Sequence, residues 1–345
     1  MILETAKNWW TDEGDSFQNK FDPRNNSIGF LRAFLATAVI FSHSFPLGGN
    51  FGPEWGARFS NGQDTIGGIA VKGFFILSGF LIAGSFVRAK GTFNYLWRRA
   101  IRIMPGFWAA LLVVAVLFVP LMSHAVGQGF GFNEVRADGG PVDYITRNLF
   151  LDIGQYSISG LTSSLPFPNA FNGSIWTLIY EAYAYIFIAV AGVLGLFRYG
   201  KGKGATALAI AVYLLFLVNL AVPGSAAGAV GLFSDIQLLI LMTYFLVGVT
   251  IYVHQDKIIV NNKLFVGAVM LCLLGARYGF YSAIAPIALS YIIMYLSIHL
   301  LPKNFDNKAD ISYGIYIYGF PVQQLLTAYG VNDLGTLFIP LLLLV

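Results

Sequence analysis

A succession of apolar runs, each about as long as a bilayer is thick, restricts this chain more than any other feature. A crossing helix needs roughly 17–25 mostly apolar residues. Runs of that kind lie near 28–47, 66–87, 103–122, 174–197, 205–222, 234–253, 262–276, 281–299, 311–329 and 332–345. The seventh is short, and the tenth ends inside LFIPLLLLV. In hydrocarbon each segment must satisfy its own backbone hydrogen bonds, so every run is expected to be helical. The expectation is an all-α, polytopic integral membrane protein of about ten transmembrane helices, forming a single transmembrane domain over 1–345.

The competing reading is a soluble protein with a large core, and composition decides against it. Only 11% of the residues are charged and 57% are hydrophobic, whereas soluble domains carry roughly a quarter charged residues. The net charge of +4 is small and scattered, which argues against a nucleic-acid partner. Cys272 is the one cysteine, so no internal disulfide or cysteine metal cluster is available. His43, His124, His254 and His299 lack metal-ligand spacing, so no metal is expected. Residues 1–27 are polar and mixed in charge, without the apolar core of a signal peptide, so insertion is expected to begin with the 28–47 run.

Basic residues favour the cytoplasmic side. Arg88, Lys90, Arg98, Arg99 and Arg102 follow the second run, Arg198, Lys201 and Lys203 the fourth, and Lys303 and Lys308 the eighth. Odd-numbered exits are short or balanced in charge, with Glu54, Arg58 and Asp64 after the first run. Both termini are therefore expected in the cytoplasm, 1–27 as a polar cytoplasmic segment. The exit of the third run, 123–173, becomes a long outer loop rich in Gly, Pro, Asn and aromatics. Such length is uncommon for a connection and suits a lid or wall over an outward-facing site.

Ionisable groups inside these runs carry the functional signal, because they are costly in lipid and tend to line interior paths. Arg32 and His43 stand in one run, RAFLATAVIFSH. Eleven helical positions return to nearly the same direction, about 16 Å along the axis. A guanidinium near the inner end and an imidazole toward the outer half would thus share a face. The bland alternative is a snorkelling arginine and a histidine packed near Pro46. In WRRAIRIMP, Arg99 and Arg102 are i and i+3 and share a face, while Arg98 points elsewhere. Two such arginines suit phosphates, although they also satisfy the simple topology rule. In NGSIWTLIYEAYAY, Glu181 falls about as deep from the outer face as His43 does, so an acid and an imidazole are expected in one layer. A carboxylate there can fix a histidine tautomer and support the imidazolium formed in base catalysis. VKGFFILSGFLIAGSF holds Ser78, Gly79 and Gly84, which suit close helix approach, and the odd charge Lys72.

Taken in order, these marks resemble the acyltransferase 3 family, membrane O-acyltransferases of bacterial surface and secreted polysaccharides. The resemblance rests on Arg32 and His43, on FFILSGFLI at 74–82 and on Arg99 and Arg102 before Pro105. SIWTLIYEAYAY at 174–185 and ISYGIYIYGFPV at 311–322 complete it. It implies an acyl-CoA co-substrate, usually acetyl-CoA, and a carbohydrate hydroxyl as acceptor, in the bacterial inner membrane. It assigns catalysis to His43 and Glu181, and the donor to Arg32, Arg99 and Arg102. Tyr318 and Gly319 stand where the family often has a tryptophan-like aromatic and a histidine, a departure that bears on the acceptor. The residues alone leave a lipid-linked saccharide flippase or an inactive scaffold open. Release of free CoA in the presence of acceptor separates an enzyme from a flippase.

Overall fold

A computed structural model describes residues 13–49, 51–129, 131–197, 202–305 and 310–333. Helices make up about 71% of the described residues. Nine long helices run through the described residues: α1 (Ile28–Gly48), α2 (Ile66–Val87), α3 (Thr92–Ala125), α4 (Ser174–Val193), α5 (Lys203–Ala221), α6 (Ile236–Val253), α7 (Asn262–Tyr278), α8 (Tyr281–His299) and α9 (Ile311–Ala328). Seven of them, all but α7 and α9, are long and apolar enough by themselves to cross a membrane. The protein is an all-α polytopic membrane protein; a tenth span at 332–345 falls almost wholly outside the described residues.

The helix boundaries have local causes. Thr65 caps α2 by accepting from the Gly68 amide at 2.8 Å, and Asn261 caps α7 by accepting from Leu264 at 2.8 Å. Helix α7 stops at Gly279, whose φ of +94° suits a residue without a Cβ. Helix α3 starts earlier than the expected 103, at Thr92, and runs through Pro105. Arg98, Arg99 and Arg102 are therefore helical residues, not loop residues. The polar stretch before Pro105 hides the helix from a hydropathy reading.

By contacts the chain divides into two units. The first holds the described residues of 1–32, 56–96 and 183–309. Its centre is the pairing of α2 with α6, where a Cβ on Gly79 would meet the Phe245 carbonyl oxygen at 1.9 Å and one on Gly248 the Ile76 oxygen at 2.2 Å. Backbones this close are typical of glycine-lined membrane helix pairs. Lys72, two turns before Gly79 on the same face of α2, pairs with Asp64 at 2.5 Å, and its ammonium lies 5.6 Å from the centre of the Tyr244 ring on α6. Both side chains are largely buried (15% and 6% exposed). Burial pushes the Asp64 carboxyl above its usual range, against the pull of Lys72 and of the Thr65 amide.

The connections of this unit gather by parity. Asp15 and Ser16 form a short antiparallel strand pair with Val260 and Ile259, which follow α6. Asn304, after α8, donates its backbone N–H to Asn26 at 2.9 Å. The segment before α1 and the exits of the sixth and eighth helices thus meet at one end. Gln63, after α1, donates to the carbonyls of Gly275 and Ala276 and accepts from the Tyr281 amide, joining the exits of the first and seventh helices at the other. Alternating crossings demand this arrangement.

The second unit holds the described residues of 33–55, 97–182 and 310–333, with most of α1 and α3, the start of α4, and α9. The loop between α3 and α4 is ordered by its own polar groups. Asn148 donates to the Gln155 carbonyl at 2.7 Å and accepts from the Gln155 amide at 3.1 Å, a two-way clasp that mimics a strand pair. Arg147 bridges Asp138 at 3.0 Å and Asp143 at 3.1 Å. The Gly139 amide donates to Asp143, which holds that carboxyl below its usual range, with Arg147 adding to the pull.

Candidate active site

Within the second unit, α1 and α9 are pressed together along matching faces. Ile40, His43, Ser44 and Leu47 follow the i, i+3, i+4, i+7 rhythm, and so do Tyr316, Gly319, Phe320, Gln323 and Thr327. The helices touch at Gly319, where a Cβ would sit 2.6 Å from the Ile40 Cγ1 atom. A histidine there, common in the resembled family, has no room in this pairing. Polar side chains of α9 then donate into α1. The Gln323 Nε2 donates to the Ile40 carbonyl at 2.8 Å and to the Ser44 Oγ at 3.1 Å. Thr327 donates to the Leu47 carbonyl at 3.3 Å. Apolar surface alone gives little register in a membrane, and such bonds supply it.

His43 projects from the middle of this seam. Its ring meets Phe320 edge to face, and Phe320 is itself backed by Phe167 of the loop between α3 and α4, centroids 5.6 Å apart. A Cβ on Gly173 would come 2.6 Å from the Phe320 ring, so a glycine is needed where the chain enters α4. The imidazole is partly accessible, yet its Nδ1 is buried and makes no hydrogen bond. What the ring exposes therefore lies away from Nδ1.

The start of α4 is tied to α9 by a second set of polar groups. Asn172 donates to the Ile317 carbonyl at 3.0 Å and accepts from the Ser174 amide at 3.1 Å. Thr177 and Tyr316 share a hydrogen bond of 2.7 Å between hydroxyls. One turn further, Glu181 is half-buried, and its charge acts on the hydroxyls of Tyr313 and Tyr316. Among the described residues no hydrogen bond or ion pair joins Glu181 to His43. With α9 as a ruler, Tyr316 and Phe320 differ by one turn, roughly 6 Å. Thr177 stands at the Tyr316 level and Glu181 one turn beyond it, toward Tyr313, whereas His43 stands at the Phe320 level.

Arg102 and Asp310 form an ion pair of 3.2 Å, with both side chains well exposed (40% and 36%). Asp310 immediately precedes α9 and also accepts from the Ser312 hydroxyl at 2.5 Å. Tyr313 donates to the Ile103 carbonyl at 3.2 Å, and its ring lies against Gly106. The first turn of α9 is thereby fastened to α3 beside Arg102. Arg99, one turn back on the same face of α3, is partly exposed. Arg32, in the first turns of α1, belongs to the other unit and is partly exposed as well. Within the second unit, then, His43, Glu181, Arg99 and Arg102 all lie along the elements that pack on α9.

Gln323, Asn172, Thr177 and Asp310 are the site-forming residues that a sequence reading passes over. Gln323 and Gln324 did carry a signal: two carboxamides interrupt the apolar run PVQQLL, and polar groups inside a span ask for partners. Gln324 finds them in the carbonyls of Phe167 and Ala170, at 2.8 and 2.7 Å. No group of three or more metal-ligating side chains gathers among the described residues.

Comparison with known proteins places this arrangement in a family. The chain is 28% identical over 328 residues to the O-acetyl transferase of Shigella phage Sf6, covering 93% of this chain and 90% of that protein. A shorter match, 31% identical over 108 residues, is to nodulation protein 10 of Rhizobium leguminosarum bv. viciae, with 29% of this chain and 27% of that protein covered. No solved structure matches. The acyltransferase domain of the acyltransferase 3 type matches residues 25–345, so this chain, with its histidine and arginines on the helices around α9, belongs to the acyltransferase 3 family.

Proposed function

We propose that this membrane acyltransferase moves an acyl group, acetyl in the first instance, from acyl-CoA to a hydroxyl of a polysaccharide, lipid-linked saccharide or glycolipid. The observation that carries the reading is His43, an imidazole held by Phe320 with its Nδ1 buried and the rest of its ring partly accessible. The name of the phage relative, an O-acetyl transferase, supports acetyl transfer to oxygen. In the reaction the acceptor oxygen attacks the thioester carbonyl carbon while His43 Nε2 takes the hydroxyl proton. The C–S bond then breaks, and the departing CoA sulfur receives a proton from the imidazolium. Base and acid are thus one residue, and the ring returns to its starting state.

Arg99 and Arg102 are assigned to the CoA phosphates, for which guanidinium groups give charge-assisted and often bidentate bonds. Arg32 carries the same assignment from the family resemblance alone. Glu181, beside Tyr313 and Tyr316, is assigned to the polar path between donor and base. The enzyme is placed in the bacterial inner membrane with both termini cytoplasmic, the donor arriving from the cytoplasm. The test is the purified full chain in lipid nanodiscs, given acetyl-CoA and a panel of glycans. Acceptor-dependent release of free CoA that disappears in His43→Ala is expected. Release that persists in that variant would overturn the assignment of His43. A mass increase of one acetyl group on the enzyme without acceptor would point to a covalent route through the same residue.

A further inference from the structure

The proposed proton transfer uses Nε2 of His43 and leaves Nδ1 without a role. A neutral imidazole carries its proton on either nitrogen, and only the tautomer with a bare Nε2 can accept the proton of a hydroxyl through that atom. What Nδ1 faces therefore matters to the chemistry. Nδ1 is buried and unpartnered. The residues on either side of it along the face of α1, Ile40 and Ser44, are both held by Gln323.

The geometry fixes which end of that carboxamide is which. The Ile40 carbonyl can only accept, so the group 2.8 Å from it must be the NH2 of Gln323. Its second N–H is directed to Ser44 Oγ. An exchange of N and O would set oxygen against oxygen. The Oε1 atom is thereby held in place, in a side chain only 1% exposed that is bonded to the residues on both sides of His43, and it too is buried without a partner. An oxygen of this kind accepts and never donates. It can be satisfied by His43 only if Nδ1 carries the proton.

We infer that Gln323 is the positioning residue for His43: its carboxamide oxygen accepts the Nδ1–H, directly or through one water, and so keeps Nε2 bare for the acceptor hydroxyl. The inference rests on the reading of His43 as the base. The same oxygen faces the imidazolium formed after proton transfer and stabilises it as a dipole without the cost of a buried charge. Phe320, one turn before Gln323 on α9, limits rotation of the ring from the other side. A rival partner exists in Ser174, whose buried Oγ is also unpartnered and follows Gly173, the residue packed on Phe320. A hydroxyl can donate to a bare Nδ1, and that would enforce the opposite tautomer.

The experiment uses the full chain labelled with 15N-histidine in nanodiscs. Solid-state 15N spectra distinguish protonated from bare ring nitrogens, and His43→Gln identifies the His43 signals by difference. The result expected is a neutral His43 with its proton on Nδ1. Gln323→Met, which keeps bulk and removes the acceptor, should shift the proton to Nε2 and lower kcat roughly 10- to 100-fold, leaving the donor KM within about twofold. Gln323→Glu should retain the wild-type tautomer, since a protonated carboxyl can both donate to Ile40 and accept from Nδ1. A wild-type proton on Nε2, a tautomer unchanged in Gln323→Met, or one that changes in Ser174→Ala instead would each overturn the inference. The wild-type spectrum decides even if a variant fails to fold. His43→Gln that keeps full activity would remove the base assignment while leaving the tautomer result intact, so the two failures are distinct.

Discussion

His43 and Phe320 meet with ring centroids 5.2 Å apart and planes inclined at 78°. Aromatic edges prefer such faces, and a pair of this kind contributes about 0.5–1.5 kcal/mol beyond the area it buries. Here the contact also stops the imidazole from swinging about its Cβ–Cγ bond, because Phe320 is pinned by Phe167 and Gly173. Phe320→Leu should fold and should reduce kcat more than either KM. Phe320→Ala should in addition lose about 3–5 kcal/mol of stability. Gly173→Ala, which drives a methyl into the same ring, should reproduce the kcat loss. Steady-state kinetics on the purified variants check all three, and an unchanged kcat in Phe320→Leu would contradict a restraining role.

For His43 itself, alanine and glutamine variants should both insert and bind donor, and both should lose transfer. Positioned base catalysis contributes about 10²–10⁴-fold, so a loss under roughly tenfold would reduce His43 to a packing residue. Activity kept in glutamine but lost in alanine would indicate a structural hydrogen bond.

On its proposed assignment to the donor, Arg102 must leave Asp310, its partner at 3.2 Å. Asp310→Asn should release the guanidinium and lower the KM for acyl-CoA about two- to fivefold, since an exposed pair is worth under about 1 kcal/mol. Arg102→Ala and Arg99→Ala should raise that KM, and lysine should restore it poorly if the phosphate contact is bidentate. Donor titrations at low and high salt provide the check. Unchanged donor binding in both alanine variants would leave these arginines as topology signals.

Lys72 and Asp64 make a testable statement about stability. Removing one partner of a buried pair leaves a stranded charge and costs about 3–5 kcal/mol. Lys72→Met should therefore lower the Tm markedly, while Lys72→Met with Asp64→Asn should recover much of the loss. Thermal unfolding in detergent compares the two, and equal losses would mean that the pair is not coupled.

The Asp143 turn predicts a pH dependence. The carboxyl titrates below its usual range because the folded loop presents the Gly139 amide and then Arg147 to its charged form. A depressed folded value adds stability above the unfolded value, and that stability disappears as pH falls through the folded one. Hydrogen exchange at Gly139, corrected for intrinsic rate, should accelerate at the acid end of the carboxylate range. Asp143→Asn should already exchange fast at neutral pH and show no such transition.

The sequence made the helices legible because each carries its own instruction, a run of apolar residues whose backbone has nowhere else to bond. It made the glycine seam of α2 legible for a related reason: Gly79 has one obvious use in a membrane helix, and the Phe245 carbonyl fills the space its missing Cβ leaves. His43 stood out as a titratable group in lipid. Its neighbours did not, because nothing in the run 28–47 says that α9 lies against it. Glu181 was read at the depth of His43 by counting from the ends of two runs; on α4 it lies one turn beyond Thr177, which bonds Tyr316. Depth along a helix can be counted; which helix stands opposite is decided by packing, here by Gly319 and the Gln323 carboxamide. The early start of α3 escaped because Trp97–Arg102 is too polar to register as a span, although it is helical.

The pairing of Asp15 and Ser16 with Val260 and Ile259 has a consequence in time. During synthesis at about 5–20 residues per second, the first of these strands waits roughly 12–50 seconds for the second to be made. It can close only if the six intervening helices have made an even number of crossings and brought residues 259–260 back to the side of residues 15–16. A skipped crossing would deliver residues 259–260 to the far side of the membrane. This two-stranded sheet thus acts as a parity check on insertion: its closure certifies that the crossings before it are even in number.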